Sequence, residues 1–264
     1  PVAEVREITA DILATRPIEA LQYGVTEGYP ELVGLIRERM KSKYNIGRDF
    51  DSILVTSGAQ QVMDLSTKVL CNEGDVVICE SPSFIGSLNC FRSYNAKIVG
   101  VPIEADGMDI EALEKALDEN PNTKMIYTIP NFQNPAGVTM SLEKRKKLYE
   151  LAKAHGVMIL EDNPYGELRF AGSGVDTIKS IDREGAVIYC SSFSKILAPG
   201  IRIGFVQAPI AVISKMVVAK QVEDVHTPML TQMLAYAFMQ SGTMDEHIRS
   251  AAELYGRKCA LMLS

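Results

Sequence analysis

Apolar side chains recur at helical spacing from Val2 to Ala14, until Thr15-Arg16-Pro17 breaks the pattern. The turn-rich stretch Tyr23-Gly24-Val25-Thr26-Glu27-Gly28-Tyr29-Pro30 leads into an amphipathic segment ending near Tyr44. Pro30 suits the first turn of that helix, where its missing N–H has no carbonyl to bond. A short β-rich run, Ile53-Leu54-Val55-Thr56, is followed by Ser57-Gly58 and a helical pattern through about Leu70. Strands are predicted at Asp75–Glu80, Ala96–Val101, Lys124–Thr128 and Val157–Glu161, with helices at Met108–Asp118 and Ser141–His155. Two more strands, Val187–Tyr189 and Arg202–Val206, flank a polar loop. From about Ile210 the pattern is wholly helical, and a last helix runs roughly from Met244 to Leu263.

Apolar strands alternating with helices imply crossover connections and an α/β fold with a mainly parallel (mixed) central sheet covered on both faces. Ligands in such sheets bind beyond the carboxyl ends of the strands. The residues singled out below all fall at or just past a predicted strand end, which is the reason to read them together.

The 264 residues are 47% hydrophobic and 23% charged, with a formal net charge of -6, which is ordinary globular composition with length enough for one large core. No run of about 18 uninterrupted apolar residues suggests a membrane span. The acidic balance argues against nucleic acid as a partner. Five dispersed cysteines, Cys71, Cys79, Cys90, Cys190 and Cys259, fit reduced thiols in a cytoplasm better than a disulfide framework. His155, His226 and His247 stand far apart in no ligand pattern, so no metal site is expected.

The most specific chemistry lies in Ser191-Ser192-Phe193-Ser194-Lys195-Ile196-Leu197-Ala198-Pro199-Gly200-Ile201-Arg202. Serine hydroxyls and an arginine fork are suitable donors for phosphate oxygens. A lysine held in a partly desolvated pocket is a nucleophilic amine that forms Schiff bases with aldehydes. A surface lysine in a serine-rich turn is the plain alternative, but this one follows a buried strand and precedes another. The segment resembles the cofactor-lysine signature of pyridoxal-phosphate enzymes of the aspartate-aminotransferase type (fold type I), where Lys195 occupies the position of the lysine that binds pyridoxal 5'-phosphate. The resemblance extends over essentially the whole chain and is nearest the branch of aminoadipate, kynurenine and broad aromatic or branched-chain aminotransferases.

What it implies can be followed motif by motif. Pro130-Asn131-Phe132-Gln133-Asn134-Pro135-Ala136-Gly137 could be a plain loop, but the family carries Asn-Pro-x-Gly here, and its asparagine bonds the phenolic oxygen O3′ of the cofactor. That role falls to Asn134. In Glu161-Asp162-Asn163-Pro164-Tyr165-Gly166 the resemblance gives Asp162 the pyridine nitrogen and Tyr165 the same O3′. Glu161, one position earlier, should face the other side of the strand. Thr56-Ser57-Gly58-Ala59-Gln60-Gln61 could be a simple helix cap, yet free N–H groups at a helix N-terminus also suit a phosphate. The family builds its phosphate cup at this junction, so the resemblance implies a cup of Gly58, Ala59 and Gln60 with Ser192, Ser194 and Arg202. Phe84 matches an aromatic that stacks on the pyridine, with a core phenylalanine as the alternative. Tyr23 matches a tyrosine that reaches the phosphate of the neighbouring subunit, which implies a homodimer.

By this resemblance the chain is a ping-pong transaminase acting on an amino acid and a 2-oxo acid. A lyase or decarboxylase of the same fold, or the effector domain of a transcription regulator, are the competing readings. Residues 1–240 are expected to form the cofactor-binding large domain, and 241–264 the start of a helix leading to a small domain. The family also has a C-terminal arginine that pairs with the substrate carboxylate and an N-terminal segment over the pocket. Neither is found here, so the expectation is a partial chain holding most of the cofactor site.

Overall fold

The computed structural model describes residues 1–264. Three helices, α1 (Val2–Thr15), α2 (Pro17–Leu21) and α3 (Pro30–Tyr44), precede β1 (Asp51–Thr56). Pro30 opens α3, Leu32, Ile36 and Met40 bury one stripe of it, and Asn45 in the left-handed region ends it. Next come α4 (Ala59–Leu70), β2 (Val76–Ser81), α5 (Ile85–Ser93), β3 (Lys97–Glu104) and the short β4 (Gly107–Met108). The Asp109 side chain accepts from Ala112 N–H to cap α6 (Ile110–Glu119), which leads to β5 (Thr123–Thr128). Ser141 caps α7 (Leu142–His155) in the same way, and Gly156 closes it. Then follow β6 (Met158–Asp162), α8 (Ile178–Ile181), β7 (Val187–Ser192) and β8 (Gly204–Pro209). Three helices, α9 (Ile210–Glu223), α10 (Met229–Gln240) and α11 (Met244–Leu263), complete the chain.

All eight strands form one sheet in the order β1-β8-β7-β6-β5-β2-β3-β4. The pairs β3/β2, β2/β5, β5/β6 and β6/β7 are parallel, whereas β8 runs antiparallel to both β7 and β1. The predicted mixed α/β sheet is therefore present, with one reversal that has a consequence for the site. Because β8 is reversed, its first residues lie at the same edge as the last residues of β1, β5, β6 and β7. Arg202, expected inside a strand, instead precedes β8 with φ of 54° and stands at that edge.

Side chains alternate between two faces of the sheet. Leu160 packs with Val62, Met63 and Met216 of α4 and α9, and Ile159 with Leu113, Leu117 and Leu148 of α6 and α7. A third cluster joins α1, α3 and α10 to β1, β7 and β8 through Ile12, Leu32, Ile36, Tyr189, Phe205 and Met233. Burying both faces is what makes the strands read as nearly continuous apolar runs. No helix is long and apolar enough to cross a membrane.

Candidate active site

The edge where β1, β5, β6 and β7 end encloses a cavity of about 320 Å³. Ala59, Gln60, Phe84, Asn134, Asp162, Tyr165, Ser192, Ser194, Lys195 and Arg202 all line it. Ten of the twelve residues picked out from the sequence thus meet in one space, although they come from six separate segments. The other two, Gly58 and Tyr23, do not line it.

Asp162 forms the floor. The alternation along β6 turns Glu161 to the far face, where its oxygens accept from Ile178 N–H (2.9 Å) and Lys179 N–H (2.7 Å). Asp162 turns to the near face, and Oδ2 accepts from the hydroxyl of Tyr127 at 2.9 Å. Tyr127 in turn accepts from Ser87 Oγ at 2.9 Å. Oδ1 of Asp162 is buried and has no partner in the protein. Burial raises this carboxyl to about 6, while the hydrogen bond from Tyr127 pulls it down.

Asn134 and Tyr165 approach each other on one wall, Nδ2 to hydroxyl, at 3.5 Å. Burial holds the Tyr165 phenol above its ordinary range, against the pull of the Asn134 amide. The Asn134 loop is braced from below by Glu80, a buried carboxylate on the face opposite Asp162. Glu80 accepts from Thr128 Oγ1 (2.7 Å), Ile129 N–H (3.1 Å) and Gln133 Nε2 (3.2 Å). Gln133 also donates to Pro82 O at 2.9 Å and accepts from Ala136 N–H at 2.8 Å.

At the other end, the first N–H groups of α4 point into the cup, because a helix start has no carbonyl one turn back. Gly58 N–H is already used on Thr56 O (2.8 Å) and Gln61 N–H on Gly58 O (3.2 Å). The available donors are therefore those of Ala59 and Gln60, and Gly58 itself does not line the cavity. Its part is to have no side chain: a β-carbon there would overlap the Arg202 guanidinium. Arg202 is oriented by Ser194 Oγ (3.3 Å), Pro199 O (3.1 Å) and Ser57 O (3.3 Å). Ser192 Oγ bonds Ser194 Oγ at 2.9 Å, so both hydroxyls sit beside the arginine.

Lys195 differs from the expectation of a partly desolvated amine, because it is exposed. The turn closed by Leu197 N–H on Phe193 O (2.8 Å) buries Phe193, Ile196 and Leu197 and so leaves Lys195 facing outward. It stands at the mouth, between the small cavity and a larger one of about 750 Å³ edged by Phe132, Leu168, Phe170 and Tyr255. Tyr23 lies on the outer surface, 80% exposed, with its ring edge-on to His226.

Sequence reasoning missed Tyr127, Ser87 and Glu80. Tyr127 offered one clue, a hydroxyl following the apolar pair Met125-Ile126, one residue short of the strand's end. Nothing local marked Ser87.

An aromatic-amino-acid aminotransferase of Thermococcus litoralis is 42% identical over 100% of this chain and 64% of its own length. Among solved structures, a multiple substrate aminotransferase of Thermococcus profundus superposes with a TM-score of 0.96 at 39% identity, over 100% of this chain and 66% of its own. The α-aminoadipate aminotransferase of Thermus thermophilus, solved with N-(5'-phosphopyridoxyl)-L-leucine, gives 0.93 at 36% identity with the same coverage. The chain spans just under two thirds of these relatives. The family model for aminotransferase class I and II matches residues 1–257, and the chain belongs to that family.

Proposed function

We propose that this chain carries the cofactor site of a pyridoxal-phosphate-dependent aminotransferase that moves an amino group between an L-amino acid and a 2-oxo acid. The observation that carries this reading is the buried, unpartnered Oδ1 of Asp162 at the floor of the cavity. A buried carboxylate oxygen without a donor is costly, and a protonated ring nitrogen is a donor that would satisfy it.

The remaining residues fit the same group. Ala59 and Gln60 N–H, Ser192, Ser194 and Arg202 would hold its phosphate, while Asn134 and Tyr165 would bond its phenolic oxygen. Phe84 would offer its ring to one face of the pyridine. When bound, pyridoxal phosphate supplies an electron sink for the substrate α-carbon. Asp162 keeps the proton on the ring nitrogen, and the amine of Lys195 takes the α-proton and returns it. The larger opening beside Lys195 is the way in for the amino acid.

A second copy of the chain completes this reading. Ile18, Leu21, Tyr23 and Val25 form an exposed apolar surface around the Tyr23 loop, which suits a homodimer in which Tyr23 reaches the neighbouring cup. Residues 1–240 act as the cofactor-binding unit and 241–264 as the connecting helix. The five cysteines are free, as suits a reducing cytoplasm.

The full-length protein tests the reading. It should take up pyridoxal 5'-phosphate with a visible absorbance band, and borohydride should then fix the cofactor to the peptide bearing Lys195. A 2-oxo acid should form from an amino donor only when an acceptor 2-oxo acid is present. Lys195→Ala should remove the band and nearly all turnover; wild-type activity in that variant refutes the assignment.

A further inference from the structure

The phosphate cup is held from behind by a polar cluster that the cofactor site itself does not include. Asp224, at the end of α9, accepts from Ser57 Oγ at 2.9 Å and from Gln61 Nε2 at 2.9 Å, both on Oδ2. Lys220, one turn earlier and fully buried, donates to both Asp224 oxygens, at 2.6 and 2.7 Å. Lys220 also donates to Gln61 Oε1 at 3.0 Å, and Ser57 N–H donates to that same oxygen at 2.8 Å. Thr227 Oγ1 lies 3.3 Å from the Ser57 hydroxyl.

Every polar atom of the Gln61 amide is thereby committed, so its orientation is fixed by charge on one side and by backbone on the other. Both donors of Ser57 point backward, away from the cup. With Gly58 N–H on Thr56 O, the only donors of this turn left to face forward are Ala59 N–H and Gln60 N–H. The Ser57 carbonyl is left to accept from Arg202. Burial pushes the Asp224 carboxyl up, but the bonds from Lys220, Gln61 and Ser57 outweigh it and hold the group below its ordinary range. It is an anion built to receive these donors.

From this geometry we infer that Asp224, backed by Lys220, is a positioning residue for the cofactor phosphate: it clamps Ser57 and Gln61 so that the turn before α4 presents its N–H groups and its Arg202 contact to one anion. The inference rests on the proposed cofactor reading and deepens it. Asp224 touches neither the phosphate nor the reacting atoms. Its effect must therefore appear in how much the phosphate adds to binding, not in how the ring is held.

The experiment compares two ligands that differ only in that group. Cofactor-free full-length protein is titrated with pyridoxal 5'-phosphate and with unphosphorylated pyridoxal, followed by absorbance, for wild type, Asp224→Asn, Ser57→Ala and Lys220→Met. The variants should bind the phosphate ester about ten-fold more weakly, the scale of one charge-assisted hydrogen bond. Their affinity for pyridoxal should stay within about two-fold of wild type, so the ratio of the two constants falls. A variant that weakens both ligands equally, or neither, overturns the inference. Should Asp224→Asn fail to fold with Lys220 left unpaired, Ser57→Ala leaves the ion pair intact and decides alone. If the wild type binds neither ligand, the cofactor reading itself fails, which is a separate result.

Discussion

The hydroxyl of Tyr127 donates to Oδ2 of Asp162 at 2.9 Å, and the other carboxylate oxygen is buried with no donor in the protein. One strand, β5, thus orients a carboxylate supplied by its neighbour β6, and does so with a group itself pinned by Ser87 of α5. The arrangement fixes which oxygen the protein bonds and which it leaves without a donor. It also makes Asp162 a source of instability in the folded chain, as a buried carboxylate oxygen without a donor is.

That instability gives the first prediction. Burial raises the Asp162 carboxyl to about 6, so the folded chain holds a proton that the unfolded chain releases near pH 4. Stability therefore falls as pH rises through the window from about 4 to 6, and the ionised form carries the full penalty above it. In cofactor-free protein, Asp162→Asn should be more stable than wild type at pH 8, by about 2–3 kcal/mol. The advantage should vanish by about pH 4. Denaturant unfolding across that range checks it, and a pH-independent difference contradicts it. The same variant should lose on the order of 10²-fold or more in turnover.

Glu80 carries the second. Its two oxygens accept from three donors, and burial raises it to about 7 against their pull. A leucine at this place would leave Ile129 N–H and the Gln133 amide without their buried acceptor. Glu80→Leu should therefore lower stability by ~1–3 kcal/mol and loosen the loop bearing Asn134. Thermal unfolding measures the first effect and cofactor affinity the second.

The strands, α3, α4, α7 and α11 are legible in the sequence because each carries an apolar period with a capping residue or a Pro or Gly at its boundary. The direction of β8 is not legible, since Gly204-Phe205-Val206 reads the same either way round. The short α5 is hidden behind Ser81-Pro82-Ser83, which reads as turn, and α8 has only four residues. At the site, residues that touch the ligand space sit in recognisable local motifs. Those that hold them do not: Ser57 and Asp224 stand 167 positions apart, and only the pairing of β1 with β8 brings α4 and α9 side by side. Lys195 shows the converse, its position legible and its exposure not, because the turn that buries Phe193, Ile196 and Leu197 decides it.

A third prediction concerns Gly58. Its backbone, at φ 87° and ψ 168°, lies where only glycine is at ease, and a β-carbon would meet the Arg202 guanidinium. Gly58→Ala should cost about 1–3 kcal/mol of stability and displace Arg202 from the cup. Gly200→Ala, where a β-carbon meets nothing and φ is not positive, is the matched control and should be near neutral. Equal effects at both sites, in stability and in affinity for pyridoxal 5'-phosphate, would argue against this account of the cup.

The last prediction separates two cations that look alike in a count of ion pairs. Arg39 of α3 donates Nε to Glu167 Oε1 at 3.1 Å, its Nη2 reaches Glu167 Oε2, and the same nitrogen meets Asp245 Oδ1 at 2.7 Å. Lys43, one turn on, contacts Glu167 at 3.2 Å and Asp245 at 2.6 Å. Together they tie α3 to the turn that follows Tyr165 and to the first turn of α11, whose far end borders the larger cavity. The Arg39 and Glu167 side chains are each only 13% exposed, whereas Lys43 is 37% exposed and free to find water. Arg39→Met leaves a half-desolvated carboxylate without its fork and should cost about 2 kcal/mol, with little change on adding salt. Lys43→Met should cost under ~1 kcal/mol, and less still in high salt. Denaturant unfolding of both variants in low and high salt tests the distinction; equal, salt-screened losses would place Arg39 among ordinary surface pairs and release α11 from the turn that carries Tyr165.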